Sequence, residues 1–150
     1  MSASSSSALT GKLSTSSLTT SIKIRVACIT GDLDTLKEMV AEDPSIVNIC
    51  LEYGKTPLSI AAGWGHEELC QFLIQHKADV NHADDIGWTP LHWSAFTGKI
   101  SVCRLLLASG ADPSIENKAH QTALDFEKAA ELKAEVERDL ETERSMAEEK

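Results

Sequence analysis

The chain has 150 residues, of which 42% are hydrophobic and 25% are charged, and its formal net charge is −9. This size and composition predict a single soluble globular domain. The negative charge argues against nucleic acid as a ligand, because proteins bind a duplex mainly by neutralising its phosphates with Lys and Arg. The same charge would attract a basic partner, although acidity is also a common way of staying soluble.

Membrane, secreted and metal-binding proteins have features that this sequence lacks. No apolar run is long enough to span a bilayer, and the amino terminus has no apolar centre of a secretory signal. The four cysteines form no C-x-x-C pair and have no histidine at zinc-ligand spacing. We therefore expect reduced thiols in a cytoplasmic or nuclear protein that uses no metal and no cofactor.

Serine and threonine dominate the start of the chain. The first twenty residues include eight Ser and four Thr, and Lys12 is their only charged residue. Such a segment buries too little surface to offset the entropy lost on ordering, so we interpret residues 1–20 as a disordered tail. A Ser-rich start without acidic residues is also typical of organelle transit peptides, and this alternative stays open.

An internal repeat organises the middle of the chain. The sequence GKTPLS at 54–59 recurs as GWTPLH at 87–92, and Thr122 follows Thr89 after the same interval that separates Thr89 from Thr56. Repetition at a period of about 33 residues indicates stacked units that share their cores with their neighbours, because one such unit is too small to fold alone.

Each central unit predicts two short helices. A threonine is followed directly by a proline, and a glycine comes nine residues after the threonine. Threonine is a good N-cap, proline fits the first helical position, and glycine permits the left-handed end of a helix. We therefore predict first helices over 57–64 and 90–97, each followed by a second amphipathic helix and a polar turn. The structural residues of this prediction are Thr56, Pro57, Gly65, Thr89, Pro90 and Gly98.

The tetrapeptide TPLH at 89–92 and the tripeptide GAD at 110–112 resemble the ankyrin repeat. The resemblance implies an all-α solenoid of stacked helix pairs with hairpin-like fingers, and a concave surface that binds protein. It also implies that His92 braces the local turn by hydrogen bonding to threonine and backbone. The resemblance covers a predicted repeat domain at 21–130, with units at about 22–50, 51–83, 84–116 and 117–130, the first and last of which depart from the pattern.

The carboxyl-terminal part of the sequence predicts one long helix, because no Gly or Pro interrupts the chain after Leu124. Leu132, Val136 and Leu140 recur at four-residue spacing and would cap the stack. Residues 125–150 carry ten acidic and five basic side chains. We interpret residues 131–150 as an acidic helical extension that is either solvated or used for binding.

Aromatic residues point to a binding surface. Phe72, Trp93 and Phe126 are predicted to pack helices, whereas the other large apolar side chains fall in fingers or at the ends of first helices. Trp and Tyr are enriched in interface hot spots because they bury much area at small entropic cost. The alternative is that Trp64 and Phe96 fill the groove themselves. The predicted partner-binding residues are Glu52, Tyr53, Lys55, Trp64, Asp85, Ile86, Trp88 and Phe96, with Asp84 completing a polar rim.

We predict a non-catalytic protein–protein interaction module that is monomeric alone and spans no membrane. No glycine-rich phosphate loop and no nucleophile motif is present, Cys70 and Cys103 fit the inward face of second helices, and the other histidines lack ligand spacing. The main alternative is an acidic holding chaperone for a basic client such as a ribosomal protein or histone. A scaffold targeted to an organelle by the Ser-rich start is a third hypothesis.

Overall fold

The computed structural model describes residues 15–148, with side chains from Leu18 onward. Within this part of the chain all regular structure is helical, so the prediction of an all-α solenoid is confirmed. None of its helices has both the length and the apolar character needed to cross a membrane. The α-helices are α1 (Thr15–Thr30), α2 (Leu33–Glu42), α3 (Pro57–Trp64), α4 (Glu67–Gln75), α5 (Pro90–Thr97), α6 (Ile100–Ala108) and α7 (Ala130–Glu148).

The helices form two rows. In the inner row α3 packs between α1 and α5, and two 3-10 turns at Ala123–Asp125 and Glu127–Ala129 continue this row after α5. In the outer row each second helix packs on its own first helix, and α7 closes the far end against α6. Leu58 and Leu91, at equivalent positions of α3 and α5, are fully buried. The core is therefore a series of seams between repeats, as expected for a solenoid.

Helices α3 and α5 begin and end where the sequence predicts. Thr89 caps α5, because its hydroxyl accepts a hydrogen bond from the N–H of His92 at 3.4 Å while Nδ1 of His92 accepts one from the N–H of Thr89 at 3.1 Å. Thr56 and Ser59 make the same reciprocal pair at the start of α3. Both helices end at a glycine in the left-handed region, Gly65 at φ 80° and its equivalent in α5 at φ 77°.

Replacing Thr89 by Ala removes one acceptor from the first turn of α5. We expect the free energy of unfolding to fall by about 1 kcal/mol, the usual value of a Thr N-cap. Urea denaturation followed by circular dichroism measures this change, and Thr89→Ser, which keeps the hydroxyl, should stay close to the wild type. Equal stability of Thr89→Ala and the wild type would contradict the capping role.

Three tight turns form the fingers that connect successive units. In each, the N–H of the first residue donates to the carbonyl of the fifth, at 2.7, 2.9 and 2.9 Å in chain order. Adjacent fingers are also joined to one another. The N–H of Asp85 donates to the carbonyl of Tyr53 at 3.0 Å, and that of Lys118 to the carbonyl of Ile86 at 3.1 Å. The first, second and third fingers are residues 51–55, 84–88 and 117–121.

Asparagine side chains join successive linkers, the polar segments at 76–83 and 109–116 that follow the second helices α4 and α6. Asn48 accepts from the N–H of Asp79 at 2.8 Å and donates to the carbonyl of Lys77 at 3.0 Å. Asn81, at the equivalent position one repeat further on, makes the same two bonds to the next linker at 2.8 and 3.3 Å. The next equivalent position is Ser114, where this series ends.

The amino-terminal end differs from the prediction. Helix α1 begins at Thr15, so the interpretation of residues 15–20 as disordered is wrong. The remainder of the predicted tail, residues 1–14, lies outside the described residues. Ile24, Ala27 and Cys28 bury one face of the carboxyl-terminal half of α1 against the rest of the stack, and packing of this kind supplies most helix stability in proteins. Residues 15–20 continue this packed helix, with Leu18 59% exposed.

The predicted continuous helix after Leu124 is also wrong. The carboxylate of Asp125 accepts from the N–H of Thr122 at 2.8 Å and closes a short turn. Phe126 then adopts an extended conformation, with φ −74° and ψ 139°, and α7 begins only at Ala130. The break directs the Phe126 ring towards its aromatic neighbours, so packing rather than local helix propensity decides this segment.

The predicted apolar stripe on α7 caps the stack only in part. Leu132 is 1% exposed and Val136 packs partly buried against the core. Leu140, one turn further on, is 55% exposed. An ion pair between Arg104 and Glu135, at 2.7 Å, holds the same part of α7 to α6. The second half of α7 therefore extends into solvent.

Candidate protein-binding site

A groove of about 380 Å³ lies between the inner helices and the first finger. Helix α1 forms one wall, α3 the floor, and α5 the opposite wall. Ile29, Leu51, Ile60 and Trp64 give it an apolar lining. A large exposed apolar surface of this kind often marks a binding site, whereas single exposed apolar residues are common and need no explanation.

Half of the predicted partner-binding residues meet at this groove, namely Glu52, Tyr53, Lys55 and Trp64. Tyr53 is 73% exposed and Trp64 is 58% exposed, and Trp64 contacts none of the other described aromatic rings. Their aromatic surface is therefore available to a partner. The predicted residues of the second finger, Asp85 and Ile86, lie outside the groove and are also exposed.

Gly63 keeps the floor of the groove open. The equivalent position in the next repeat is Phe96, which carries a large side chain. A Cβ atom placed on Gly63 would have Cβ of Trp93 as its nearest neighbour, at 3.5 Å, which is an ordinary contact. The fold therefore tolerates a side chain here, and its absence is what leaves space for a ligand.

Three charged residues line the groove. Nη1 of Arg25 lies 2.7 Å from Oε2 of Glu52, so these two charges neutralise each other. Nζ of Lys55 lies 4.4 Å from the centroid of the Trp93 ring, which is the geometry of a cation–π contact. No carboxylate of the described residues lies within ion-pair distance of Lys55.

Four aromatic residues form a cluster beside the groove. The Trp88 ring centroid lies 4.5 Å from that of Trp93, 5.1 Å from that of Phe96 and 5.2 Å from that of Phe126. Trp88 is consequently half-buried, whereas Phe96 keeps 51% of its surface exposed. Of the aromatic residues predicted to bind a partner, Trp88 and in part Phe96 thus pack in this cluster, whereas Trp64 lies at the groove and is 58% exposed.

Asp84 does not belong to a polar rim, and that prediction is wrong. The residue is only 7% exposed. Its Oδ1 accepts from the N–H groups of Ile86 and Trp88, at 3.1 and 2.9 Å, and its Oδ2 accepts from Nε1 of Trp93 at 2.9 Å. The carboxylate therefore shapes the second finger and fixes one indole of the aromatic cluster.

His92 has the bracing role implied by the repeat motif. It is 1% exposed, its Nδ1 accepts from the N–H of Thr89, and its Nε2 therefore carries the proton and donates to the carbonyl of Gln121 at 2.9 Å. Burial lowers the pKa of His92, although the Gln121 carbonyl and the nearby carboxylates oppose this shift. The imidazole is neutral at pH 7 and joins the third and fourth units.

The inward-facing thiols are inert. Burial raises the pKa of Cys28 and of Cys70 to about 12 and also raises that of Cys103. The prediction that Cys70 and Cys103 face inward is confirmed, since neither is exposed. Because the thiolate is the reactive form, these residues act as small apolar side chains at neutral pH.

Two of the other histidines also bond to distant backbone carbonyls, His66 across to the first unit and His82 within the second unit. Nε2 of His66 lies 2.7 Å from the carbonyl of Ile29, and Nε2 of His82 lies 3.0 Å from that of Gly54. In the part of the chain that the structure describes, no three His, Cys, Asp or Glu side chains come together in a way that could hold a metal ion.

Residues that the sequence reasoning missed complete the groove. Arg25 and Ile29 come from the first unit, whose departure from the repeat pattern concealed its contribution. Gly63 and Ile60 were detectable, because alignment of the two central repeats pairs them with Phe96 and Trp93. The available signal was a glycine inside a helix at the position where the next repeat has an aromatic residue.

A family model for ankyrin repeats, in three copies, matches residues 24–117. The chain therefore belongs to the ankyrin-repeat family. Over 56 residues it is 39% identical to "Ankyrin repeat and SAM domain-containing protein 6" of Mus musculus and to the protein of the same name of Rattus norvegicus. Over 54 residues it is 37% identical to the Danio rerio protein of that name.

These matches are local. They cover 37%, 37% and 36% of the chain, and only 6%, 6% and 7% of the length of the three relatives. They therefore support the repeat and not the activity of any whole relative. Ankyrin repeats in general are non-catalytic modules that mediate interactions between proteins.

Proposed function

We propose that this chain is a non-catalytic module that binds a partner protein in the groove and along the adjoining fingers. One observation carries the proposal: a preformed apolar groove is flanked by Tyr53 and Trp64, which are 73% and 58% exposed. Aromatic side chains that border an open groove contribute strongly to binding affinity, because a partner that covers them buries a large apolar area.

The backbone of the first finger supports this proposal. Tyr53 adopts φ 61°, a left-handed conformation that is rare for a residue with a large side chain. Such strain persists where the surroundings impose it and is concentrated at functional sites. Here the conformation leaves the phenol ring exposed beside the groove rather than packed on the stack.

Two substitutions test the groove as the binding site. Trp64→Ala should weaken partner binding by about 2 kcal/mol, which is about thirtyfold in Kd. Gly63→Leu should weaken it similarly by filling the floor, without disturbing α3. The partner is first captured with the full chain from its native cell and identified by mass spectrometry, and the purified pair is then titrated by calorimetry.

Leu140→Ala is the matched control. Leu140 is as exposed as Trp64, at 55% against 58%, but lies on α7 away from the groove. We expect it to leave the Kd unchanged. Unchanged binding by both Trp64→Ala and Gly63→Leu, in variants that unfold like the wild type, would overturn the assignment of the groove.

The acidic holding chaperone is retained as a second candidate because of the exposed half of α7. Leu140 and Met146 are 55% and 64% exposed there, and most of the charged residues around them in the sequence are acidic. A basic client held by this segment should dissociate as ionic strength rises, whereas an aromatic groove contact should change little. Deleting residues 141–150 should abolish binding if this candidate is correct and leave it intact if the groove binds the partner.

A further inference from the structure

Lys55 is the one groove charge that the described part of the chain does not neutralise. Its side chain is half-buried, and its ammonium lies 4.4 Å from the Trp93 ring centroid. The other cation of the groove, Arg25, is already paired with Glu52 at 2.7 Å. The charged side chains of the lining, Arg25, Glu52 and Lys55, thus sum to one positive charge, although the whole chain carries −9.

The second finger does not supply the missing negative charge. Asp85 is the nearest predicted rim residue, yet it is not part of the groove lining. Its carboxylate lies against Gly54, where Oδ1 would be 2.6 Å from a Cβ atom placed on that glycine. The other carboxylate of this finger, that of Asp84, bonds to Nε1 of Trp93 at 2.9 Å and is not within ion-pair distance of Lys55.

A partner that covers the groove removes water from the Lys55 ammonium. Taking an ammonium out of water is unfavourable unless an opposite charge or hydrogen-bond acceptors replace the solvent. The Trp93 ring compensates only part of this cost, since a cation–π contact contributes on the order of 1 kcal/mol. A carboxylate on the partner compensates it best, and a cationic side chain there would add repulsion.

The remaining surface of the groove restricts the partner further. Ile29, Leu51, Ile60 and Trp64 offer apolar contacts, and a volume of about 380 Å³ lies at the small end of ligand pockets. A space of this size takes a few side chains of one peptide segment rather than the face of a folded domain. The ligand chemistry is therefore apolar with one negative charge.

We propose that the groove binds an apolar peptide segment of the partner that places an Asp or Glu carboxylate beside Lys55. This inference rests on the proposed function, in which the groove is the binding site. It predicts a partner segment of the opposite sign to the basic client that the net charge of the chain would attract at long range.

Selection from a library of displayed random-sequence peptides tests the proposal on the full chain. Peptides selected on the wild type should combine large apolar residues with Asp or Glu, and should bind Lys55→Glu at least about tenfold more weakly. A parallel selection on Lys55→Glu should favour Lys or Arg instead. Lys37→Glu makes the same charge change at an exposed site on α2 and should not alter the preference.

The outcomes separate this inference from the proposed function. Peptides that lose binding to Gly63→Leu but show no acidic preference would overturn the role of Lys55 and leave the groove as the binding site. Peptides that bind Gly63→Leu as well as the wild type, or the recovery of no peptide, would overturn both. If circular dichroism shows that Lys55→Glu is misfolded, Lys55→Met replaces it, and undiminished binding of acidic peptides to Lys55→Met would also overturn the proposal.

Discussion

Trp88→Ala is expected to lower the free energy of unfolding by about 3 kcal/mol. The Trp88 ring lies in the middle of the aromatic cluster, with the centroids of Trp93, Phe96 and Phe126 at 4.5 to 5.2 Å. Truncation to Ala removes these contacts and leaves a cavity between the third and fourth units, and large-to-small changes of buried Trp cost about 3 to 5 kcal/mol. Because Trp88 is half-buried, we expect the low end of this range.

Trp64→Ala provides the matched comparison, since it removes the same side chain from an exposed position. Its unfolding free energy should stay within about 0.5 kcal/mol of the wild type. Urea denaturation followed by far-ultraviolet circular dichroism compares the two variants without relying on tryptophan fluorescence. If Trp64→Ala were the more destabilised variant, the division into a packed cluster and an open groove would be wrong.

Acidification below about pH 6.5 is expected to destabilise the protein through His92. Nδ1 accepts a hydrogen bond from the N–H of Thr89, so a proton on this nitrogen would replace an attraction by a clash of two donors. Burial lowers the folded-state pKa of His92 below its usual value of about 6.5. The unfolded chain then binds more protons than the folded chain, and stability falls as pH decreases below the unfolded-state pKa.

The loss of stability through His92 has an upper limit, and it occurs at higher pH than the loss through the carboxylates. One proton changes the unfolding free energy by at most about 1.4 kcal/mol per pH unit. Hydrogen bonds lower the pKa of Asp32, Asp43, Asp112 and Asp125. The stability that these carboxylates contribute is present above their unfolded-state pKa of about 4 and is lost below it. The window between about pH 6.5 and 4.5 therefore reports mainly on histidine.

His92→Gln isolates this contribution, because a glutamine amide can still accept from Thr89 but does not titrate. We expect the variant to be less stable than the wild type at pH 7 and to lose less further stability between pH 7 and pH 5. Unfolding curves in urea at both pH values measure the difference. An equal loss on acidification in the two proteins would show that another group causes it.

Local signals made α3 and α5 predictable to the residue. Thr56 and Thr89 cap through atoms three residues away, and Gly65 ends α3 through its own backbone conformation. Each of these effects depends on a few consecutive residues, so the sequence carries it without reference to the rest of the fold. The regular period of the repeat then placed the units side by side.

The errors come from contacts between distant residues. Asp84 is a charged residue in a finger, where the sequence predicts exposure. It is nevertheless buried, because its carboxylate also bonds to the Trp93 indole. The helix propensity after Leu124 yields to the packing of Phe126 against Trp88. Neither interaction can be read from spacing alone, because each depends on how the third and fourth units meet.

The groove was predicted in part for the same reason. Tyr53 and Trp64 were recognisable as large apolar residues at variable repeat positions. Arg25 belongs to the first unit, which departs from the repeat pattern, and its contribution depends on the ion pair with Glu52. The space left by Gly63 is a property of the folded surface, which composition does not reveal.

The asparagine bonds between linkers make the length of this molecule adjustable. Asn48 and Asn81 recognise only main-chain atoms of the following linker, and the fingers are likewise joined through main-chain groups. A duplicated segment 51–83, inserted after Ala83, would bring its own asparagine and meet the same main-chain partners on both sides. The hydrogen-bonded part of each junction would thus be repeated unchanged, and only the side-chain seam between the two copies of α3 would be new.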